Sequence, residues 1–263
     1  MSARLARSLC FCIALLNVAG TARAQGTPLD EAQLSDVWGQ ALLQLTNTSL
    51  NGYDFSRITL GADVQLSANF TNVRLGEYSY TARNGTGADI DLGMLRFGRS
   101  DGTEAQRVVH ITDPYLEFVY KNVGDASRRE VVGMRLGFGG IQGDIGLQMN
   151  TVSGSLLINT AGGAVDSRTD PLGGKRWDGT SCGTTLCALA LSQIGGVTAG
   201  DANGPSRDFF LSVLREAVLY PAVNGAGAPD KALEGFWLNW RDRLLANRIN
   251  QPPPPNLPKP PGG

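Results

Sequence analysis

The chain has 263 residues, 42% of them apolar and only 18% charged, with 34 glycines, 13 prolines and a formal net charge of -1. That length accommodates one all-β domain with appendages, and a glycine-rich, charge-poor composition fits a sheet with many tight turns better than a helical bundle. The charge balance makes the chain a poor candidate for nucleic-acid binding, which requires a basic stripe, and no nucleic-acid partner is expected.

Residues 1–24 read as a secretory signal peptide. Arg4 and Arg7 precede an apolar run from Leu9 to Ala19, and Ala22-Arg23-Ala24 leads to Gln25, so cleavage is expected between Ala24 and Gln25. The run is too short to span a bilayer, which takes about 20 residues. No other segment comes closer, so no transmembrane helix is expected. Cleavage removes three arginines and no acids, leaving 20 basic against 24 acidic residues and a net charge of -4. Cys10 and Cys12 leave with the signal, and Cys182 and Cys187 remain.

The mature chain opens with Leu29 to Gln40, an amphipathic pattern predicting a short helix with Leu29, Leu34, Val37 and Trp38 on one face and Gly39 as its stop. Leu29, Glu31, Leu34, Val37, Gly39 and Gln40 form L-x-[DE]-x-x-L-x-x-V-x-G-Q directly after the signal. This resembles the start of a group of exported proteobacterial proteins, some labelled pilin- or filament-associated, although Trp38 stands where a small polar residue is expected. Asp113 to Phe118 and Gly133 to Phe138 are similar to segments of the same group. The resemblance implies an envelope or surface role and supplies no catalytic residue.

Strand signals follow. Leu43 and Leu45 begin one; then Ile58, Leu60, Ala62, Val64, Leu66, Ala68 and Phe70 alternate with polar or small residues over thirteen positions, the period of a strand with one apolar face. Val73, Leu75, Tyr78 and Tyr80 form another strand with a bulge near Gly76, Arg83 to Gly87 is a turn, and Ile90–Phe97, Val108–Ile111 and Tyr115–Tyr120 supply three more. Val131 to Ile158 reads as a three-stranded antiparallel meander turning at Gly139-Gly140 and Asn150-Thr151. Residues 161–204 read as a loop region with one disulfide. Helical spacing returns in Ser206–Tyr220, through Phe210, Leu211, Leu214 and Val218, and in Asp230–Asn250, through Leu233, Phe236, Trp237, Trp240 and Leu244. Residues 251–263 form a Pro-rich tail, expected to be exposed and disordered.

The expected fold is mainly β: an antiparallel sandwich or roll over 25–160, a short N-terminal helix, and two C-terminal amphipathic helices within 205–250 that pack on the sheet.

The chemistry is defined largely by exclusion. His110 is the single histidine, which removes multi-histidine zinc sites and leaves any histidine-dependent triad to that one residue, in the strand pattern Val108-Val109-His110-Ile111. No G-x-S-x-G elbow, P-loop or dinucleotide fingerprint is present. Cys182 and Cys187 in an oxidising compartment predict a disulfide closing a short loop; a redox pair would be C-x-x-C and a zinc site would need two more ligands. Asn84 to Leu92 imitates one calcium nonapeptide, with Asp91 in the large-apolar position and no tandem copy to share ligands. Asp201 to Gly204 imitates a calcium loop without its distal Glu. No metal and no cofactor are expected.

Three functional readings compete. The first is an exported, non-catalytic cell-envelope or surface protein, filament-associated or adhesive, contacting a protein partner or envelope component. The second is an outer-membrane β-barrel, suggested by the length and alternation of Ile58–Phe70. In the third, a secreted carbohydrate-active enzyme, Glu117, Asp113 and Asp144 are candidate carboxylates and Trp177, Tyr78 and Tyr80 candidate sugar platforms. Trp237 and Trp240 with Arg241, Arg243 and Arg248 would also suit a membrane-interface helix, but core packing explains the same pattern.

Overall fold

The computed structural model describes residues 42–80, 85–183, 185–222 and 227–258, all within the compact unit Gln40–Gly263. The signal peptide, its cleavage point and the opening helix Leu29–Gln40 lie outside the described residues, as do Arg83 and Asn84. In chain order the strands are β1 (Leu43–Leu50), β2 (Tyr53–Leu60), β3 (Asp63–Leu66), β4 (Ala68–Leu75), β5 (Tyr78–Tyr80), β6 (Gly85–Gly87), β7 (Ile90–Phe97), β8 (Val109–Lys121) and β9 (Glu130–Val152). They continue with β10 (Gly154–Thr160), β11 (Gly163–Asp166), β12 (Ser181–Cys182), β13 (Thr185–Leu186), β14 (Ile194–Ala199), β15 (Phe210–Leu214), β16 (Gly235–Trp240) and β17 (Leu244–Ile249).

The fold is mainly β, and β9 is its spine. Along one edge of β9 run β7 and β8, and along the other run β14 and β15. Each flanking band is interrupted once and resumes on the same neighbour. Outside β8 and β7 lie β2, β3 and β4; outside β15 and β14 lie β16 and β17. The large sheet is mixed rather than purely antiparallel, because β10 joins β16 and β17 in parallel. Strands β9, β14, β17, β10, β16 and β15 thereby pair in a closed circuit.

Two buried clusters result. One contains Ile141, Ile145, Leu147, Met149, Leu156, Ile158, Val197 and Trp240. The other contains Phe55, Val119, Val132, Phe210, Tyr220 and Trp237.

Five expectations are corrected. The meander is a single 23-residue strand, β9, through most of its length: Gly139-Gly140 lies inside it, where a Cβ on Gly140 would come within 2.7 Å of Thr112 Oγ1 and 2.9 Å of Pro205. The glycine marks a close approach rather than a turn. The Ile58–Phe70 strand is cut at Gly61-Ala62 and at Ser67 into β2, β3 and β4.

The two C-terminal helices are strands. Trp237 and Trp240, three residues apart, would share a helix face but take opposite sides of a strand, and they belong to different clusters. Because both faces of β15 and β16 are covered, apolar residues recur without a clean period of two and imitate helical spacing.

Region 161–204 contains β11, the β12–β13 hairpin and the largely buried β14. In β14, Gly195 and Gly196 hide the strand signal, and the chain crosses at Gly195: a Cβ there would stand 1.9 Å from the Gln251 carbonyl oxygen. That crossing segment is the Pro-rich tail, which is docked as far as it is described. The Pro255 carbonyl accepts from Ser100 N–H at 2.7 Å, the Pro254 carbonyl from Arg96 Nη1 at 2.7 Å, and buried Asn256 donates to the Phe97 carbonyl at 2.8 Å.

Docking of the tail makes the Ser100 amide protected in hydrogen exchange. Gly195→Ala, which drives a methyl into the tail backbone, is expected to cost about 1–3 kcal/mol and to release that protection. Unchanged exchange at Ser100 on deleting residues 251–263 would contradict the docked tail.

Candidate functional site

The site begins with what β8 and β9 bury. In the Glu130–Phe138 half of β9, the apolar alternation runs through Val132, Met134, Leu136 and Phe138. Yet Met134 and Leu136 are exposed, at 38% and 48%, whereas Arg135 is fully buried. The inward face carries Gly133, Arg135 and Gly137. Neither glycine tolerates a side chain, since a Cβ on Gly133 would meet Leu214 at 2.4 Å and one on Gly137 would meet the Tyr115 hydroxyl at 2.3 Å.

Arg135 is one rung of a charge ladder. Arg57, Glu117 and Arg135 are direct cross-strand partners on β2, β8 and β9. Glu117 Oε2 accepts from Arg57 Nε at 2.7 Å and Oε1 from Arg135 Nε at 2.7 Å. Arg135 Nη2 donates to the Pro221 carbonyl at 3.1 Å. Its Nη1 has no hydrogen-bond acceptor, but the guanidinium carbon lies 4.2 Å from the Tyr220 ring centre, 4.9 Å from Phe210 and 5.5 Å from Tyr115. Aromatic faces thus take the place of water around the cation. Burial pushes the Tyr115 and Tyr220 hydroxyl pKa values upward.

The opposite face carries an apolar row. Leu45, Ile58, Leu116, Leu136, Leu211 and Leu238 are successive cross-strand partners on β1, β2, β8, β9, β15 and β16. Five interstrand steps make a row about 24 Å long. Leu45, Ile58 and Leu136 are exposed at 66%, 42% and 48%. Leu43 and Met134 widen the strip, whose far end turns inward. Leu211 and Leu238 line a cavity of about 130 Å³ within the first buried cluster, and every side chain lining it is apolar. Phe138 stacks on Phe209 at 4.9 Å, and Phe209 meets Trp240 edge-on at 5.0 Å, linking strip to core.

A second polar cluster ties the ends of β10 and β16. Arg241 forks onto Asp166 with both bonds at 2.8 Å, and Asp230 takes Arg168 Nε at 2.7 Å and the Ser155 hydroxyl. Burial raises the Asp166 pKa, but the bonds and charge of Arg241 together with the backbone N–H and charge of Arg168 outweigh it and hold the carboxyl below its usual range. Asp208 is instead pushed up by burial, against the pull of the Asp242 and Arg241 backbone N–H groups.

The sequence-derived candidates are dispersed into structural duties. Asp144 is saturated by Thr198 at 2.7 Å, Asn247 at 3.1 Å and Gln106 at 2.8 Å. Asp113 is exposed with φ 47°. Trp177 is buried and donates to the Ser181 carbonyl at 2.9 Å. Tyr78 is half-buried and receives Arg176, while the Tyr80 side chain is outside the described residues. His110 is half-exposed in β8, 3.7 Å from Asp63.

Asp89, in the imitation calcium repeat, accepts from the Phe236 N–H at 3.0 Å and fixes the start of β16. Asp201 to Gly204 is the turn between β14 and β15. Arg241, Arg243 and Arg248 pair with Asp166, Asp201 and Asp101. Cys182 and Cys187 form the expected disulfide, Cα–Cα 4.9 Å, across the β12–β13 hairpin. Among the described residues no group of His, Cys, Asp or Glu is arranged to hold a metal ion, and no helix is long and apolar enough to cross a membrane.

The fold and its surface define a β-sheet protein with an exposed apolar row on one face of its sheet. No family model, curated protein or solved structure matches the chain.

Removing the shared carboxylate leaves two arginines without their acid. Glu117→Gln is expected to cost about 3–5 kcal/mol in urea unfolding, the typical penalty for breaking a buried ion pair. Arg57→Gln at the more accessible end is expected to cost about 1 kcal/mol. Equal, small losses for both would show that the ladder is not a buried unit.

Proposed function

We propose that this is an exported, non-catalytic protein of the cell envelope or surface that holds a protein partner or envelope component on the apolar strip of its sheet, in a filament-associated or adhesive role. The observation carrying the reading is the exposed Leu45–Ile58–Leu136 row. Contiguous apolar surface of this kind marks an interaction site in soluble proteins, and here it lies on regular strands. Export rests on residues 1–24, and the filament association on the Leu29–Gln40 resemblance.

The barrel reading loses support from the distribution of polarity. A lipid-embedded barrel presents apolar residues outward around a polar interior, whereas here Leu147, Met149, Ile158 and Val197 of the circuit's strands pack in one buried apolar cluster. Outside it, Asp144, Thr198 and Asn247 form a hydrogen-bonded cluster. The glycosidase reading loses support because Glu117 is neutralised by two arginines and Asp144 is hydrogen-bonded at both oxygens.

The test is fractionation of cells exporting the wild-type chain and Leu136→Asp. Leu136 is half-exposed, so the substitution should change folding stability by no more than about 0.5 kcal/mol. The wild type is expected with the envelope fraction, without a heat-dependent gel shift, and the variant in the soluble fraction. A heat shift for a membrane-integral species, or equal envelope retention of both proteins, would contradict the reading.

A further inference from the structure

We infer that strand β1 is a self-association edge: two copies of this chain pair through it, antiparallel, around a two-fold axis. This rests on the interaction-surface reading and names the occupant at one end of the strip.

Among the described residues β1 pairs with β2 alone. Asn51 and Gly52, with φ 53° and 81°, form the two-residue turn between them, and positive φ at both positions defines a type I′ hairpin. Leu50 and Tyr53, which flank the turn, are then a hydrogen-bonded pair, and bonding alternates along the ladder. The N–H and C=O groups of Leu43, Leu45, Asn47 and Ser49 therefore point away from β2, eight backbone groups along a straight edge.

Natural edges of this length are ordinarily blunted by Lys, Pro or a bulge. The sequence of β1, LQLTNTSL, has no charge and no proline, and its pairing with β2 is without a bulge. Identical charged strands would repel across a two-fold axis, whereas this strand meets itself without like-charge contact. The register that engages all eight groups sets Leu43 opposite Ser49 and Leu45 opposite Asn47 of the second copy, with Thr46 facing itself. Leu45 of each copy then becomes the diagonal neighbour of the other, about 7–8 Å apart. The most exposed leucine of the row gains cover, and two apolar strips join into one. Pairing of this symmetry closes on itself, giving a dimer rather than a fibre.

The test uses the exported, mature chain. At the two-fold axis Thr46 occupies a non-hydrogen-bonded pair, where Cα atoms approach about 4.5 Å, within disulfide range. Thr46→Cys is expected to form a covalent dimer under mild oxidation at least about ten-fold faster than Gln44→Cys, whose cysteines would be some 13 Å apart. In light scattering the otherwise unaltered chain should show a concentration-dependent dimer, weakened about ten-fold by Leu45→Lys and unchanged by Leu172→Lys at a site exposed elsewhere.

A monomeric mass with no preferential Thr46→Cys cross-linking overturns the inference. So does a dimer indifferent to Leu45→Lys. If the dimer fails while Leu136→Asp still releases the protein from the envelope, the interaction-surface reading stands and only the second-copy assignment falls.

Discussion

The ion pair between Glu117 and Arg135 is the constraint around which the rest of this structure is arranged. A strand has only two sides, and placing a carboxylate and a guanidinium on the inner side of adjacent strands sends their neighbours Leu116 and Leu136 to the outer side. The inner side must then satisfy the charges. It does so with a second arginine, a backbone carbonyl and three aromatic rings, and with glycines at 133 and 137 that leave room for Leu214 and Tyr115. Buried ion pairs seldom add net stability over apolar packing. What this one contributes is direction: it fixes which face of the sheet is inside and leaves an apolar row outside.

The two halves of β9 therefore work differently. Beyond Gly140 the strand buries Ile141, Ile145, Leu147 and Met149 in an ordinary apolar core, and its other side carries Gln142, Gln148 and Asn150. The Pro-rich tail covers part of that polar side, and Gly146 admits it, with Pro254 3.1 Å from where a Cβ would stand. Before Gly139 the polarity is inverted. The apolar strip and the internal cavity meet at Leu211 and Leu238, so the exposed surface is an extension of the core rather than scattered leucines.

The β class, the main strand regions before residue 160 and the disulfide were legible because alternation and cysteine spacing are local signals. The identity of the inner face was not, because alternation reports that two faces differ and not which one is covered; in β9 Met134 and Leu136 are exposed, while Val132, at a register shift, is buried. The C-terminal strands were misread for a related reason, since Trp237 and Trp240 serve two different clusters and their spacing of three suits a helix. Gly195 and Gly196 made β14 look like a loop, for the groups that require glycine there, the tail at Gly195 and the Asn247 side chain at Gly196, are distant in sequence. The Arg57–Glu117–Arg135 ladder had one usable trace, an arginine between two glycines in an otherwise apolar strand, but register across three strands is a tertiary fact.

Methionine oxidation tests the inverted face most directly, because Met134 and Met149 lie on the same strand on opposite sides of it. Met134 is 38% exposed and Met149 2%. Treating the folded chain with dilute peroxide and following each sulfoxide by peptide mass should show Met134 oxidised rapidly and Met149 protected until unfolding. Faster oxidation of Met149, or equal rates at the two positions, would contradict the assignment of the apolar strip to the outside of the sheet.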